Sequence, residues 1–319
     1  MNTPTKNKMK VGISACVMGQ NVRFDGGHKR STFCTQQLSE FVQFKPICPE
    51  VAVGLPTPRK SIRQIDKDGL ITLSRPDGSQ DVTQAVTQYG KDIANTATDI
   101  AGFIFCAKSP TCGMERVKVY HHNGQGSSAT GVGLFAEQIM QANPALPVEE
   151  SGRLNDPILR ENFITRIFTY QKWLTLTASG LSKHKLIAFH SQLKYLVLSH
   201  HLESYQQLGQ LLGMQSHLPI DVLAKQYIHQ LMEGLRHIAT KKSHTNTLQH
   251  LQGYFKQYLT PSRRAELSDA IMSYRKGIAP LLVPLTLIKH YLLEFPNDYL
   301  SQQAYLNPHP ETLKLRYGY

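Results

Sequence analysis

The segment Ile100-Ala-Gly-Phe-Ile-Phe-Cys106 is a continuous apolar run that contains aromatic and β-branched side chains. A run of this kind, bounded by polar residues, predicts a strand that is buried on both faces. The segment Lys10-Val-Gly-Ile-Ser-Ala-Cys16 predicts a second buried strand, which ends in a turn. A further apolar run, Phe44-Lys-Pro-Ile-Cys-Pro-Glu50, stops at Pro49 and predicts a third strand. Buried strands of this type favour a parallel sheet.

Helical segments alternate with these strands. Residues 81–98 repeat apolar side chains at helical spacing, and Asp81 is suited to cap the helix. Residues 131–141 predict another helix, whereas residues 70–73 fit a short hairpin strand. The alternation predicts a Rossmann-like α/β domain with a parallel sheet. Ligands of such sheets bind beyond the carboxyl ends of the strands, so the loops there are where we expect the chemistry.

The second half of the chain shows almost no strand signal and is predicted to be all-α. A helix over residues 156–179 is predicted to begin at Asp156-Pro157, and the tract 177–183 is predicted to be a linker. We therefore expect an α/β domain over residues 1–177 and an all-α domain over residues 178–319. Further helical periodicity is found over residues 190–212, 219–237, 247–259, 261–276 and 281–293.

Length and composition indicate two folded domains and an acidic partner. The chain has 319 residues, of which 41% are hydrophobic, so disorder is excluded as its main state. The formal net charge is +12, and residues 151–319, with 19 basic and 10 acidic side chains, contribute +9 of it. We recognise no secretory signal and no membrane-spanning stretch. The expectation is a cytoplasmic protein with reduced thiols and no membrane partner.

Three of the five cysteines, Cys16, Cys48 and Cys112, lie just beyond the predicted strand ends. No cysteine pair has the C-x-x-C spacing of zinc ribbons or thioredoxin motifs. If the three loops converge, three thiolates suit an iron–sulfur cluster with one open iron, or a three-ligand metal site with an exchangeable position. The alternative is that all five are ordinary buried residues. Cys34 and Cys106 are interpreted as structural.

The sequence around these cysteines contains long motifs. They are Cys16-x-x-Gly-x-x-Val-Arg-Phe-Asp-Gly26, Cys48-Pro-Glu-Val-x-x-Gly-Leu-Pro-Thr-Pro-Arg59, Lys108-Ser-Pro-Thr-Cys-Gly113 and Pro147-Val-Glu-Glu-Ser-Gly-Arg-Leu154. In order and spacing they resemble the thiouracil desulfidase family, over roughly residues 8–165. The resemblance implies a 4Fe-4S cluster with three cysteine ligands, Cys16, Cys48 and Cys112. It further implies that the fourth iron is open to the sulfur of a thiolated base.

The resemblance also implies roles for residues near the thiols. It places acid–base catalysis at Glu50, close to Cys48, and a supporting role at Ser109. Asp25 is a candidate second acid or substrate contact; the alternative is an Asx-turn residue before Gly26. Hydrolysis of a thiocarbonyl needs a base that activates water and a proton source for the ring. The expected reaction is a non-redox desulfuration that releases sulfide.

The back domain carries motifs of its own, among them Tyr274-Arg-Lys-Gly-Ile-Ala-Pro280 and Tyr305-Leu-Asn-Pro-His-Pro310. Together with the segment 190–205 they resemble the helical domain of unknown function that follows the desulfidase domain in longer family members. Such fused proteins are understood to act on thiolated uridine in tRNA. The resemblance therefore implies tRNA as the partner and 4-thiouridine as the substrate.

Basic residues of the back domain are the expected contacts for RNA phosphates, although solvated surface charge is the alternative at each of them. The densest positions are Lys241, Lys242, Arg263, Arg264, Arg275 and Lys276. No DNA partner is expected. Two other functions remain open. One is desulfuration of free thiouracil or thionucleosides, with the back domain as an oligomerisation or regulatory module. The other is a non-catalytic RNA-binding protein with a structural metal.

Overall fold

A parallel four-stranded sheet lies at the centre of the front half of the chain in the computed structural model, which describes residues 8–122, 126–214 and 218–316. The strands are β1 (Met9–Ser14), β2 (Val42–Ile47), β3 (Arg63–Lys67), β4 (Leu70–Ser74), β5 (Ile100–Phe105), β6 (Val117–His121), β7 (Ser127–Gly131) and β8 (Val148–Glu150). The central sheet has the order β2-β1-β5-β8, and all its neighbouring pairs are parallel. The predicted α/β fold with a parallel sheet is therefore confirmed.

The two inner strands of this sheet are buried. Every residue of β5 is buried, and β1 exposes only Lys10. Gly12 leaves room between the strands for a large side chain, since a Cβ there would lie 2.3 Å from the ring of Phe103. Phe103 in turn stacks on Phe105, with ring centroids 4.4 Å apart. Removal of this apolar surface from water is the main force that holds the sheet in place.

A second sheet, which the sequence did not predict as such, has the order β4-β3-β6-β7. The pairs β3–β4 and β6–β7 are antiparallel, while β3 and β6 run parallel. Strand β4 matches the hairpin strand predicted over residues 70–73. Strand β7 was not predicted, because Ser127-Ser-Ala-Thr-Gly131 shows no alternation of apolar and polar residues.

Of the three α-helices among the described residues of the front half, the second and the third occupy the positions that the sequence predicted, whereas the first was not predicted. They are α1 (Pro49–Ala52), α2 (Thr83–Thr96) and α3 (Leu134–Ala142). Helices α2 and α3 pack against each other. Asp81, the predicted cap of α2, accepts a hydrogen bond from the amide of Thr83 at 2.9 Å.

The contacts within the chain divide it after Asp156 into two compact units, not between residues 177 and 178 as the sequence predicted. We call residues up to 156 the sheet unit and those from 157 the helical unit. The helices of the latter are α4 (Pro157–Ala178), α5 (Lys183–His200), α6 (Leu202–Met214), α7 (Ile220–Arg236), α8 (Lys241–Gly253), α9 (Pro261–Arg275), α10 (Leu282–Glu294) and α11 (Asp298–Ser301). Helix α4 belongs to this unit because it packs on α7, where Asn162 donates to the carbonyl of Leu235 at 2.9 Å.

The helical unit has no strand among its described residues, so the all-α prediction is confirmed. The helix predicted over residues 190–212 is in fact two helices. His201 separates them with an extended backbone, φ −152° and ψ 113°. Helix α8 begins before the predicted residue 247, because Thr240 and Ser243 form a capping box at its start. No helix within the described ranges is long and apolar enough to cross a bilayer.

Aromatic rings and buried histidines form the core of the helical unit. Trp173, the single tryptophan of the chain, lies 5.8 Å from the ring of Phe189 and 6.0 Å from that of Tyr227. His190 Nδ1 lies 3.3 Å from the Tyr227 hydroxyl. Burial lowers the pKa of His190 to about 4 and that of His244 to about 3. Both rings are therefore neutral in the folded protein at physiological pH.

Acid is expected to destabilise the helical unit through these histidines. The unfolded chain protonates a histidine near pH 6.5, whereas the buried rings protonate only near pH 4 or below. The free energy of unfolding is then highest above pH 6.5 and falls as the pH drops towards 4, by up to about 1.4 kcal/mol per pH unit for each histidine. Urea unfolding followed by the fluorescence of buried Trp173 measures this dependence in the helical unit.

His190→Gln is expected to make the dependence on pH shallower, since the variant lacks one of the buried rings. His184→Gln removes an exposed histidine of the same helix and serves as the control. The explanation fails if His190→Gln has the same slope as the wild-type protein.

Candidate active site

Three cysteines line one cavity of about 200 Å³ in the sheet unit. Cys16 lies just after β1, Cys48 directly follows β2, and Cys112 lies in the loop after β5. These strands are neighbours in the sheet, so their carboxyl ends carry the three loops to one edge. Cys112 is buried, while Cys16 and Cys48 are half-buried. The structure thus brings the three candidate ligands together.

Close backbone contacts fix the loop that carries Cys112. The amide of Cys112 donates to Ser109 Oγ at 3.1 Å, and the amide of Gly113 donates to the Ser109 carbonyl at 2.8 Å. Gly133 lies against the same loop, where a Cβ would come within 2.5 Å of the carbonyl carbon of Thr111. A residue other than glycine at this position would push the loop, and with it the thiol, out of place.

A pair of hydroxyl groups joins Ser109 to the carboxylate of Glu50. Thr111 Oγ1 donates to Glu50 Oε1, and Ser109 Oγ lies 2.9 Å from Thr111 Oγ1. A hydroxyl has only one proton to donate. Because Thr111 donates its proton to Glu50, the hydrogen bond between Ser109 and Thr111 must be donated by Ser109. On the other side, Cys48 Sγ donates to Glu50 Oε2 at 3.3 Å. The Glu50 carboxylate is therefore held next to a thiol, with both oxygens used as acceptors.

Thr111 is a residue of the site that the sequence did not single out. Its side chain is fully buried and contacts both Glu50 and Ser109. The sequence feature that could have identified it is its position in Lys108-Ser-Pro-Thr-Cys-Gly113, directly before the candidate ligand Cys112. Its importance follows only from the fold, because Glu50 is far from it in the sequence.

Burial and negative charge favour the protonated thiols in this cavity. Burial, together with the Glu50 carboxylate, raises the pKa of Cys48 to about 12. The same two causes raise the pKa of Cys112 well above the ordinary thiol value of 9.0. A hydrogen bond with Cys106, followed by burial, raises the pKa of Cys16. Thiolates can therefore exist here together only when a positively charged group compensates them.

Cys106 also lines the cavity, so its interpretation as a structural residue is not what the geometry shows. Its thiol is hydrogen-bonded to that of Cys16, and this bond lowers the pKa of Cys106. Its amide donates to Ser14 Oγ at 3.0 Å. Cys106 directly follows β5, so the rule that singled out the cysteine after β2 could have found it. Cys34 is buried and is not among the described residues that line the cavity.

Basic side chains surround the thiols. They are Arg23, Lys29, Arg59 and Lys108. Arg59 is fixed by hydrogen bonds from Nη1 to the carbonyl of Val22 at 2.9 Å and to that of Pro56 at 3.3 Å. This positive wall favours negative charge on whatever binds in the cavity.

Asp25 pairs with one residue of this wall, Arg23. It is exposed, and it is not among the described residues that line the cavity. Its Oδ1 accepts from the amide of Gly27 at 3.0 Å, and its Oδ2 pairs with Arg23 at 3.6 Å. These contacts are those of the Asx turn that was the alternative for this residue. A catalytic role for Asp25 stays a prediction without support from the geometry.

The donor set of the cavity fits an iron–sulfur cluster. Within the part of the chain that the structure describes, no three His, Cys, Asp or Glu side chains are placed to hold a single metal ion. The thiolates that hold a cluster bind different irons, and so lie farther apart than the ligands of one ion. These thiols line a cavity of about 200 Å³, and thiolate is the ligand that such clusters prefer. Cys16, Cys48 and Cys112 are the residues that would hold the cluster.

The basic residues predicted to contact RNA form two groups in the helical unit. The first contains Lys241, Lys242, Arg275 and Lys276, and the second contains Arg263 and Arg264. The first group is gathered where α8 begins and α9 ends, since Lys241 Nζ lies 2.8 Å from the Cβ position of Gly277. In the second group, Arg263 pairs with Glu294 at 2.6 Å. The first group therefore offers more uncompensated charge to a polyanion.

The sheet unit is thus an α/β domain with a thiol-lined cavity at the carboxyl edge of its parallel sheet, the kind of site that takes a soft metal centre. A family model described as 2-thiouracil desulfurase matches residues 11–151, and one described as a protein of unknown function (DUF1722) matches residues 194–310. The first match falls in the sheet unit and the second in the helical unit.

Two known proteins are similar to the chain. The uncharacterized protein YbgA of Escherichia coli (strain K12) is 34% identical over 159 residues, which make up 50% of this chain and 94% of that protein. The solved structure of the 4Fe-4S-dependent thiouracil desulfidase TudS is 28% identical. The match covers 47% of this chain and 95% of TudS, with a TM-score of 0.38. The predicted family resemblance is confirmed.

Loss of the Thr111 hydroxyl is expected to misplace Glu50 without removing a thiol. In Thr111→Val the side chain keeps its shape but donates no hydrogen bond to the carboxylate, and Ser109 loses its acceptor. We expect sulfide release from 2-thiouracil to fall about 10-fold or more, while the iron content stays unchanged. Thr111→Ser keeps the hydroxyl and should retain the rate. Equal rates for the two variants would show that Thr111 does not position Glu50.

Proposed function

We propose that the protein is an iron–sulfur-dependent desulfidase that converts a thiolated uracil, 4-thiouridine in tRNA, to uridine and sulfide. The observation that carries the proposal is the meeting of three thiols and the Glu50 carboxylate in one cavity of a 2-thiouracil desulfurase domain. Three cysteine ligands, Cys16, Cys48 and Cys112, leave one iron of a 4Fe-4S cluster without a protein ligand. In this proposal the helical unit supplies the contacts to tRNA.

The reaction exchanges the sulfur of a C=S bond for the oxygen of water and changes no oxidation state. When bound, the cluster supplies a Lewis-acidic iron with affinity for soft sulfur. Glu50 takes one proton from the water molecule that attacks the ring carbon. The sulfur leaves as sulfide, and the two protons of the water go with it, one of them by way of Glu50. The base is left as a uracil carbonyl.

Ser109 supports this reaction from a distance. Its hydroxyl accepts from the amides of Thr111 at 3.3 Å and Cys112 at 3.1 Å, and donates to Thr111 Oγ1. A serine hydroxyl has one donor and two acceptor positions, so all of them are used inside the loop. Ser109 is accordingly a positioning residue, which holds the loop of Cys112 and the hydroxyl that anchors Glu50.

The positive charge of the helical unit favours a substrate in which the thiolated base is part of an RNA chain. Residues 151–319 carry +9 of the formal charge of +12, and Lys241 and Lys276 belong to its most concentrated group. Basic surface of this kind binds the phosphate backbone and brings RNA to the protein. The second candidate, desulfuration of free thiouracil or a thionucleoside, is favoured by the cavity itself, whose volume of about 200 Å³ suits a single base.

Anaerobically reconstituted protein is expected to convert 4-thiouridine in tRNA to uridine. Purified tRNA is incubated with the protein and digested, and its nucleosides are measured by mass spectrometry together with the sulfide released. We expect equal amounts of 4-thiouridine lost, uridine gained and sulfide formed. Glu50→Gln should keep its iron and slow the reaction about 10²- to 10⁴-fold, because an amide does not accept the proton from water.

Two cysteine variants control this experiment. Cys48→Ser is expected to lose iron and activity, whereas Cys34→Ser, which removes a buried thiol outside the cavity, should keep both. Conversion of free 4-thiouracil with unchanged tRNA would select the second candidate. Bound iron with neither substrate converted would leave a non-catalytic RNA-binding protein. An undiminished rate in Glu50→Gln would remove Glu50 from the mechanism.

A further inference from the structure

A second cavity, of about 410 Å³, lies within the helical unit. Helix α4 forms one wall, the end of α5 and the start of α8 form another, and Tyr274 of α9 closes it together with Arg316. None of the functions proposed above uses it. Its size is that of a site for a small organic group.

Two polar groups reach this cavity without a partner in the described chain. His200 Nδ1 lies 2.7 Å from the carbonyl of His237, and since a carbonyl only accepts, this nitrogen carries the proton. Burial lowers the pKa of His200 to about 4, so the ring is neutral and its other nitrogen, Nε2, is a free acceptor. Tyr274 is 3% exposed, and its hydroxyl makes no hydrogen bond to a described residue. The cavity thus offers one acceptor and one donor to a ligand.

The Tyr274 ring is held in position by its neighbours. It meets the ring of His244 edge-on, at 6.1 Å between centroids. His244 is fixed in turn by a contact of 3.0 Å between its Nδ1 and the Tyr305 hydroxyl. A hydroxyl fixed in this way loses little freedom when a ligand binds to it.

The interior of the cavity is close to neutral, while its mouth is positive. Arg316 is 7% exposed, and its charge is balanced by Glu161, with 2.6 Å between Nε and Oε1. At the mouth, Lys241 is exposed and has no acidic partner within the first turn of α8. Its ammonium group lies by Gly277, next to Lys276. A ligand with an uncharged polar body and an anionic end matches this distribution of charge.

Part of the cavity lining is apolar. Ile158, Ile238 and Leu281 belong to it. They suit a flat body that has apolar faces and hydrogen-bonding edges, which describes a nucleobase. A phosphate attached to that body would lie at Lys241, where the positive end of the α8 dipole also favours an anion.

We propose that this cavity binds a nucleoside phosphate, with the base against His200 and Tyr274 and the phosphate at Lys241. The ligand is either a nucleotide of an RNA chain, flipped out of base stacking, or a free nucleotide from solution. Binding of an RNA nucleotide rests on the proposed function. In that case the cavity is a site at which the helical unit binds tRNA. The free source would make it an effector site.

Calorimetric titration of the full-length protein tests the proposal, with uridine monophosphate, uridine and inorganic phosphate as probes. Uridine monophosphate is expected to bind more tightly than either part alone, because its base and its phosphate make separate contacts in the cavity. Tyr274→Phe removes one hydrogen bond and should weaken binding of uridine monophosphate about 3- to 10-fold. Lys241→Ala should weaken the binding of uridine monophosphate by a similar factor and leave the binding of uridine unchanged.

The control is Lys256→Ala, which removes an exposed lysine of the same unit that does not line the cavity. It should bind all three probes like the wild-type protein. The fluorescence of Trp173 shows whether each variant keeps the helical unit folded. The proposal is overturned if uridine monophosphate does not bind, or if folded Tyr274→Phe and Lys241→Ala bind it like the control.

A competition experiment separates the two sources. Displacement of bound uridine monophosphate by unthiolated tRNA shows that an RNA nucleotide occupies the cavity, whereas simultaneous binding of both shows that a free nucleotide does. Sulfide release from free 4-thiouracil is measured on the same samples, since it needs only the cavity of the sheet unit. If only the nucleotide proposal is wrong, sulfide is released but uridine monophosphate does not bind. If only the proposed function is wrong, uridine monophosphate binds but no sulfide is released.

Discussion

The parallel pairing of β2, β1 and β5 is the constraint on which the site depends, because it brings the carboxyl ends of three strands to one edge. The strands pack closely because Gly12 gives the ring of Phe103 its space, and the buried apolar faces hold them together. Cys16, Cys48 and Cys112 meet only as a result of this arrangement. A change in the order of the strands would separate the thiols without altering any of the loops.

The same edge explains the electrostatics of the site. Buried thiols next to a carboxylate resist ionisation, so positive charge beside them, from the basic lining or from a bound group, favours the loss of thiol protons. Thr111 fixes the Glu50 carboxylate beside this group, and Ser109 fixes both Thr111 and the Cys112 loop. The residue proposed to activate water and the thiols proposed to hold the cluster are thereby parts of one hydrogen-bonded unit. In the proposed function the helical unit attracts a polyanion, and it carries most of the positive charge of the chain.

Features that depend on local patterns could be predicted from the sequence, and features that depend on distant contacts could not. Apolar runs identified β1, β2 and β5, and positions just after them identified three cysteines. Strand β7 is short and polar, so it carries no pattern that a rule could detect. The break at His201 interrupts a continuous helical periodicity, and only the extended backbone reveals it. Thr111 became visible as a site residue only when the fold placed it beside Glu50, whereas Cys106 could have been found by its position after β5.

The central claim is that three of the four thiols in the cavity hold a cluster and leave one iron open. Mössbauer spectroscopy of anaerobically reconstituted, iron-57-labelled protein tests it directly, with Cys106→Ser and Cys112→Ser as a matched pair from the same cavity wall. The account predicts that the wild-type protein and Cys106→Ser show about four irons per chain, and that 4-thiouracil changes the signal of one of them. Cys112→Ser should lack this spectrum. The account is contradicted if Cys106→Ser loses the cluster while Cys112→Ser keeps it, or if 4-thiouracil is consumed with no change at any iron.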